Sequence, residues 1–164
     1  MQRPRKVTLR FLAAPTDVNF GGKVHGGAVM KWIDQAGYTC AAGWTGRYCV
    51  TVYVGGIHFV HPIHVGDLVE VRALVIGSGR SSLHVAVDVY ARNPREMEGR
   101  RTGHCVIVFV CLDEAGRPEP VPKWIPVTEV DRALEAYAFE LAHTRRDMDA
   151  RLERQLEQLD VRLE

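Results

Sequence analysis

Little in this chain is present in excess. Its 21 Lys and Arg are matched by 20 Asp and Glu, leaving a formal charge of +1, which argues against an electrostatic grip on nucleic acid. No run approaches the roughly 18 apolar residues that a membrane span needs. The basic N-terminus, MQRPRKVTLRFLAAP, has no continuous apolar stretch of signal-peptide length, so the expectation is a cytoplasmic protein without a membrane partner. Four cysteines are present, Cys40, Cys49, Cys105 and Cys111, without a CxxC pair. All sit inside apolar segments, the setting of buried reduced thiols rather than of disulfides or zinc ligands. Neither Cys49 nor Cys105 has a patterned base beside it, which speaks against a thiol nucleophile. A GxSxG elbow and a GxxxxGKS/T phosphate loop are both missing. His58, His61 and His64 are spaced by three along an extended segment broken by Pro62, so neighbours point to opposite faces and no metal site is expected.

What is there is ordinary in amount and informative in order. At 164 residues with 46% hydrophobic content, the chain suits one domain with a real core. Its organising stretch is Pro15 to Trp44, a polar glycine-rich loop running into an apolar helix. Residues 1–6 read as a tail, Val7 to Leu12 as a first strand, and Ala13 to Val24 as a loop set by Pro15, Asp17, Asn19 and Gly21–Gly22. The helix is expected from about His25 to Ala42, with Gly43 as its end signal. Between Gly26 and Trp44 only Lys31, Asp34, Gln35 and Thr39 are clearly polar, so the helix reads as buried nearly all round.

Strand patterns follow. Val50, Val52 and Val54 share one face, and Gly55–Gly56 suggests a bulge or a close approach. Leu68 to Ile76 is the next strand, turned by Gly77–Ser78–Gly79. Leu83, Val85, Val87 and Val89 alternate, a charged connection spans Arg95 to Arg101, and Thr102 to Leu112 is the last strand. The connections are short, which favours antiparallel hairpins. One greasy helix then needs a curled antiparallel sheet of five or six strands around it, an α+β fold, and a second copy to cover its other side. After a proline-rich linker at 117–127, a long helix occupies 128–164, opened by a capping box of Thr128 and Asp131. Val130, Leu141, Leu152 and Leu163 recur every eleven residues, which predicts a nearly straight packing seam, either across its own domain or as an assembly device.

Four residues invite a chemical reading. Gly26 and Gly27 open the helix, where first-turn N–H groups lack partners; they either stabilise a developing oxyanion or let the helix pack closely. Asp34 lies two turns on, toward the same side, and is either a general base in apolar surroundings or a structural carboxylate bonded to a neighbouring strand. Asn19 either presents its amide to a carbonyl or water, or shapes a turn.

The pattern Asp17-Val18-Asn19-Phe20-Gly21-Gly22-Lys23-Val24-His25-Gly26-Gly27, followed by Met30 and Asp34, resembles the acyl-CoA hydrolase family of hotdog-fold thioesterases. Phe59 to Asp67 and the Gly79–Ser82 turn also resemble it, and the resemblance covers about residues 7–116. It implies a hotdog fold and hydrolysis of an acyl-CoA to fatty acid and CoA, with no metal or redox cofactor. Asp34 would activate water or attack directly, Asn19 would orient water or thioester, and the N–H of Gly27, with Gly26, would polarise the carbonyl. It also implies sites at a dimer interface and a trimer of dimers. Candidate contacts to substrate and CoA are His25, Lys23, Arg80, Ser81, Ser82 and Arg92; the Arg80–Ser82 turn offers donors to phosphate. Position 23 is Lys, position 61 His and positions 103–104 Gly–His, where relatives often carry Asn or Asp, Arg, and Glu–Ala. Two alternatives stand beside this. One is another hotdog activity, a dehydratase or a 4-hydroxybenzoyl-CoA thioesterase type with Asp17 as its acid. The other is a non-catalytic acyl-CoA-sensing or assembly module built on the last helix.

Overall fold

Leu83, Val85, Val87 and Val89 alternate along the strand Ser82–Arg92, and all four side chains are fully buried on one face. The same period of two buries Val69, Val71, Ala73 and Val75 on Leu68–Ser78, and Cys105, Ile107, Phe109 and Cys111 on Arg100–Cys111. The computed structural model describes residues 3–159. In chain order the strands are β1 (Lys6–Leu12), β2 (Cys49–Val54), β3 (His58–Phe59), β4 (Leu68–Ser78), β5 (Ser82–Arg92) and β6 (Arg100–Cys111). They form one antiparallel sheet of order β1-β4-β5-β6-β2, with β3 also paired to β6. The expected sheet is therefore present, with six strands and one helix, α1 (Gly26–Thr45), laid on its buried face.

The face of α1 that meets the sheet carries Val29, Trp32, Ile33, Ala36, Gly37, Cys40 and Ala41, at the i, i+3, i+4, i+7 spacing of an amphipathic helix. At Gly37 the helix lies tight against the sheet. A Cβ there would meet the ring of Phe109 at 3.0 Å, so glycine sets the helix–sheet distance. Phe11 closes the β1 end against Trp32, edge to face with centroids 4.8 Å apart. The opposite face of α1 corrects the expectation of an all-round buried helix. Met30, Lys31, Asp34, Gln35, Tyr38 and Thr39 are exposed in the single chain. The helix also runs past the expected Ala42–Gly43 boundary. It ends at Gly46, whose φ of 69° allows its N–H to bond Ala42 O at 2.7 Å.

Other boundaries shift for local reasons. Gly77 and Ser78 continue β4 through a register shift between Val75 and Gly77, so the turn falls at residues 79–81. The irregularity in β2 falls between Thr51 and Tyr53, while Gly55 is the close approach, its N–H donating to Val106 O at 2.8 Å. On the outward face of the sheet Asp88 faces His104 across β5 and β6 at 2.9 Å and pairs with Arg101 at 2.7 Å. Half-burial pushes the Asp88 carboxyl up, but the hydrogen bond and charge of His104 and the Arg101 guanidinium outweigh it and hold it below its ordinary range.

The chain divides into two units, Met1–Ile125 and Pro126–Glu164. The second holds α2 (Glu129–Leu159), 31 residues long. Thr128 caps it: its hydroxyl accepts from Asp131 N–H at 3.1 Å while the Asp131 carboxylate accepts from Thr128 N–H at 3.1 Å. Of the eleven-residue seam, Val130, Leu141 and Leu152 are exposed, and Leu163 lies outside the described residues. Among the described residues no helix is long and apolar enough to cross a membrane.

Candidate functional site

The loop between β1 and α1 is held by its own polar side chains. A single 3-10 turn, Pro15–Asp17, is capped by Asp17, whose carboxylate accepts from Ala14 N–H at 3.1 Å. Val18 bridges to Val24, and Lys23 bridges to His64, tying the loop to the segment before β4. Asn19 closes the tip. Its Oδ1 accepts from Gly21 N–H at 2.9 Å and Lys23 N–H at 3.3 Å, and its own N–H donates to Lys23 O at 2.7 Å. The turn-shaping role of Asn19 is thus observed, and it fixes the amide's orientation. With Oδ1 engaged, Nδ2 has no partner among the described residues and remains as two unused donors. Asn19 lines a groove of about 390 Å³ with Lys23, Gly26, Phe59, His61 and Thr102.

At the start of α1, His25 is the N-cap, one residue before the expected role as first helical residue. Its Nδ1 accepts from Gly27 N–H at 2.8 Å. A Cβ on Gly27 would stand 2.9 Å from that nitrogen, so glycine is what lets the imidazole fold over the helix end. The Gly27 donor is therefore occupied in the free chain, whereas the Gly26 N–H has no partner among the described residues.

Asp34 lies seven residues beyond Gly27, about 10 Å along the helix axis. It stands on the exposed face of α1, so the burial that sequence reasoning assumed for it is absent in a single chain. What holds it is Thr51 of β2, whose hydroxyl donates to Asp34 Oδ1 at 2.7 Å. Thr51 was not anticipated. Its only sequence signal is a hydroxyl within the apolar run CVTVYV. One carboxylate oxygen is thereby anchored, and Oδ2 has no partner among the described residues.

The remaining candidates are scattered. Arg80, Ser81 and Ser82 form the β4–β5 turn, where Arg80 O accepts from Val121 N–H at 2.9 Å and Ser81 O from Cys111 N–H at 3.1 Å. Ser82 is paired with Val110 and Phe59 with Gly103, so this turn and the Asn19 groove sit roughly 20 Å apart along β6. Arg92 donates to Pro94 O and Glu96 O and braces the β5–β6 connection. One chain thus brings Asn19, Lys23 and Gly26 together, but not Asp34, Arg80–Ser82 or Arg92. Among the described residues no cluster of three or more His, Cys, Asp or Glu side chains could hold a metal ion.

A sheet curled over one central helix, with an open glycine-led helix end and an anchored carboxylate, defines a recognisable class. The chain belongs to the thioesterase superfamily, whose family profile matches residues 21–98. The protein VdlD of Helicobacter pylori is 32% identical over 146 residues, covering 89% of this chain and 81% of that one. The acyl-CoA thioester hydrolase YciA of Salmonella typhimurium is 32% identical over 120 residues, covering 71% of this chain and 90% of that one. Among solved structures, an apo-hexameric acyl-CoA thioesterase superposes with a TM-score of 0.84 at 30% identity, over 88% of this chain and 93% of its own. An acyl-CoA hydrolase from Staphylococcus aureus, solved with butyryl coenzyme A and coenzyme A, gives 0.83 at 25% identity over 95% of each chain.

Proposed function

We propose that this chain hydrolyses acyl-CoA thioesters to a free carboxylic acid and CoA. The observation that carries the reading is Asp34: a carboxylate on the open face of α1, with one oxygen pinned by Thr51 and the other free to take a proton. Asp34 Oδ2 removes a proton from water as the water oxygen attacks the thioester carbonyl carbon. The carbonyl oxygen gains charge and is met by the N–H of Gly27, with Gly26, at the positive end of α1. The C–S bond then breaks, and the CoA sulfur leaves as thiolate and is protonated. Asn19 turns its Nδ2 donors to the water or the thioester. His25 must yield Gly27 for the carbonyl to bind. These steps require no metal or redox cofactor.

Distance supports a reading in which the groups come from different copies. Gly27 and Asp34 of one chain are about 10 Å apart along the axis, too far to act on one carbonyl. A dimer that faces the exposed side of α1 to a second copy would set Asp34 of one subunit beside Asn19 and Gly27 of the other. Three such dimers would make the hexamer named for the solved relative. In the same way Arg80, Ser81 and Ser82 would meet CoA from another subunit, with Lys23 at the groove mouth. The Staphylococcus enzyme has also been solved as alanine variants of an asparagine, an aspartate and a threonine. Their spacing in that chain equals the spacing of Asn19, Asp34 and Thr51 here, which supports treating these three as a set.

Asp17 is less suited to be the acid, because its carboxylate already caps the 3-10 turn. The test is CoA release across acyl-CoAs of graded chain length. Asp34→Asn is expected to lower turnover by about 10²–10⁴-fold, and Asn19→Ala to lower it as well. If Asp17→Ala abolishes turnover while both of these leave it intact, the assignment is wrong.

A further inference from the structure

Cys49 is the first residue of β2 and Cys111 the last of β6, and they face each other in the ladder. The backbone bonds around them show what kind of pair they are. Leu112 N–H donates to Tyr48 O at 3.2 Å, but Cys111 N–H turns away to Ser81 O at 3.1 Å, and its carbonyl accepts from Glu119 N–H at 2.9 Å. Cys49 and Cys111 therefore form a non-hydrogen-bonded pair, the position where antiparallel side chains stand closest. Their sulfurs are 3.0 Å apart, and both residues are buried. The Cα separation of about 4.5 Å in such pairs lies at the short end of the disulfide range. Closing the bond needs the sulfurs to approach by about 1 Å and no change of strand register.

We propose that Cys49 and Cys111 are a redox modification site, a preassembled dithiol that closes to a cross-strand disulfide when a peroxide reaches it. One sulfur attacks the peroxide and breaks its O–O bond, forming a sulfenic acid and releasing water. The second sulfur attacks the first; the S–S bond forms, the S–O bond breaks, and a second water leaves. The two sulfurs supply the two electrons that reduce the peroxide, so no other reactant is consumed.

The site is slow and selective by construction. Burial is the main reason the Cys49 thiol is pushed up to about 12, with Cys111 adding to it against the Thr45 hydroxyl. Thiolate is therefore scarce at neutral pH, and closure accelerates as pH rises. Both cysteines are terminal residues of their strands, where local opening costs least. Cys40 and Cys105 lack this arrangement: the Cys40 thiol donates to Arg5 O at 3.2 Å, and Cys105 faces Val87 in the ladder. Exchange with a reducing thiol that reaches the pair returns it to the dithiol, so the modification is reversible. It would tie β2, which carries Thr51 two residues on, covalently to β6.

The test treats the full chain with hydrogen peroxide, denatures it in a thiol-blocking reagent and maps its peptides. Four free thiols should fall to two, with the Cys49 and Cys111 peptides joined and lighter by two hydrogens; dithiothreitol should restore all four. Cys49→Ser and Cys111→Ser should each give no joined peptide under the same treatment, and the variant that keeps the attacking sulfur should hold it as an oxygen adduct. Met97, 94% exposed, reports that oxidant was sufficient by turning to its sulfoxide. Four thiols persisting after Met97 has oxidised would overturn the proposal. So would cysteine loss as oxygen adducts without a joined peptide, or a joined pair containing Cys40 or Cys105.

Discussion

At the scale of single residues, the informative contact is one hydroxyl on one carboxylate. Thr51 holds Asp34 Oδ1 at 2.7 Å across 17 positions of sequence. A hydrogen bond to a charged acceptor is worth about 1.5–3 kcal/mol. Thr51→Val keeps the shape of the side chain and removes only that bond. On the proposed role of Asp34, it should lower kcat by roughly tenfold to a hundredfold. The fold should survive, because Thr51 is exposed in the single chain. Steady-state kinetics beside a thermal melt separates the two effects: an unchanged kcat would remove Thr51 from the site. Asn19 makes a related point. The bonds that shape its turn are the same ones that aim its free amide, so the structural and chemical readings of that residue describe one arrangement.

At the scale of elements, α1 and β6 are fitted to each other at Gly37 and Phe109. A side chain at Gly37 would meet the Phe109 ring from 3.0 Å outward, and Phe109 is 1% exposed with nowhere to go. Gly37→Val should therefore destabilise the protein by about 2–3 kcal/mol, measured by urea unfolding; a neutral result would mean that the helix rides more loosely than drawn. Much of this architecture was legible in advance because it is periodic. Leu83, Val85, Val87 and Val89 announce a strand buried on one face, and Thr128 with Asp131 announces a helix start. Helix ends were less legible. Gly43 and Gly46 are the same residue type three positions apart, and only the left-handed backbone at Gly46 distinguishes them. The candidate site was legible as a list, in Asn19, Gly26, Gly27 and Asp34, but not as a geometry. Thr51 meets Asp34 only because a strand crosses a helix. Arg92, a candidate CoA contact, also donates to Pro94 O and Glu96 O, a local use that its sequence position does not announce.

At the scale of the whole molecule, the single chain leaves apolar surface uncovered. Met30, Tyr38, Val52, Val54 and Phe59 are exposed apolar side chains on α1, β2 and β3, and β2 ends the main strand order with one side open among the described residues. Such surfaces are normally covered by a partner. If Asn19 and Asp34 act from different subunits, the impaired variants Asn19→Ala and Asp34→Asn should rescue each other. After co-refolding in equal amounts, half the dimers are mixed and each mixed dimer holds one intact site. Activity should then return to roughly a quarter of that of the unmodified protein. Activity that stays at the sum of the two variants would place both groups in one chain.

On the proposed role of the Gly27 N–H, the imidazole that holds it at rest has a consequence for rate. A neutral imidazole nitrogen is a better hydrogen-bond acceptor than a thioester carbonyl. Exchanging one for the other at the Gly27 N–H therefore gives the bound substrate little. Once negative charge develops on the carbonyl oxygen, the balance reverses, because charged acceptors form the stronger bond. His25, by competing for the donor at rest, would leave most of the donor's strength to appear only as water adds to the carbonyl carbon and its oxygen gains charge. That is selective affinity for the reacting state over the substrate.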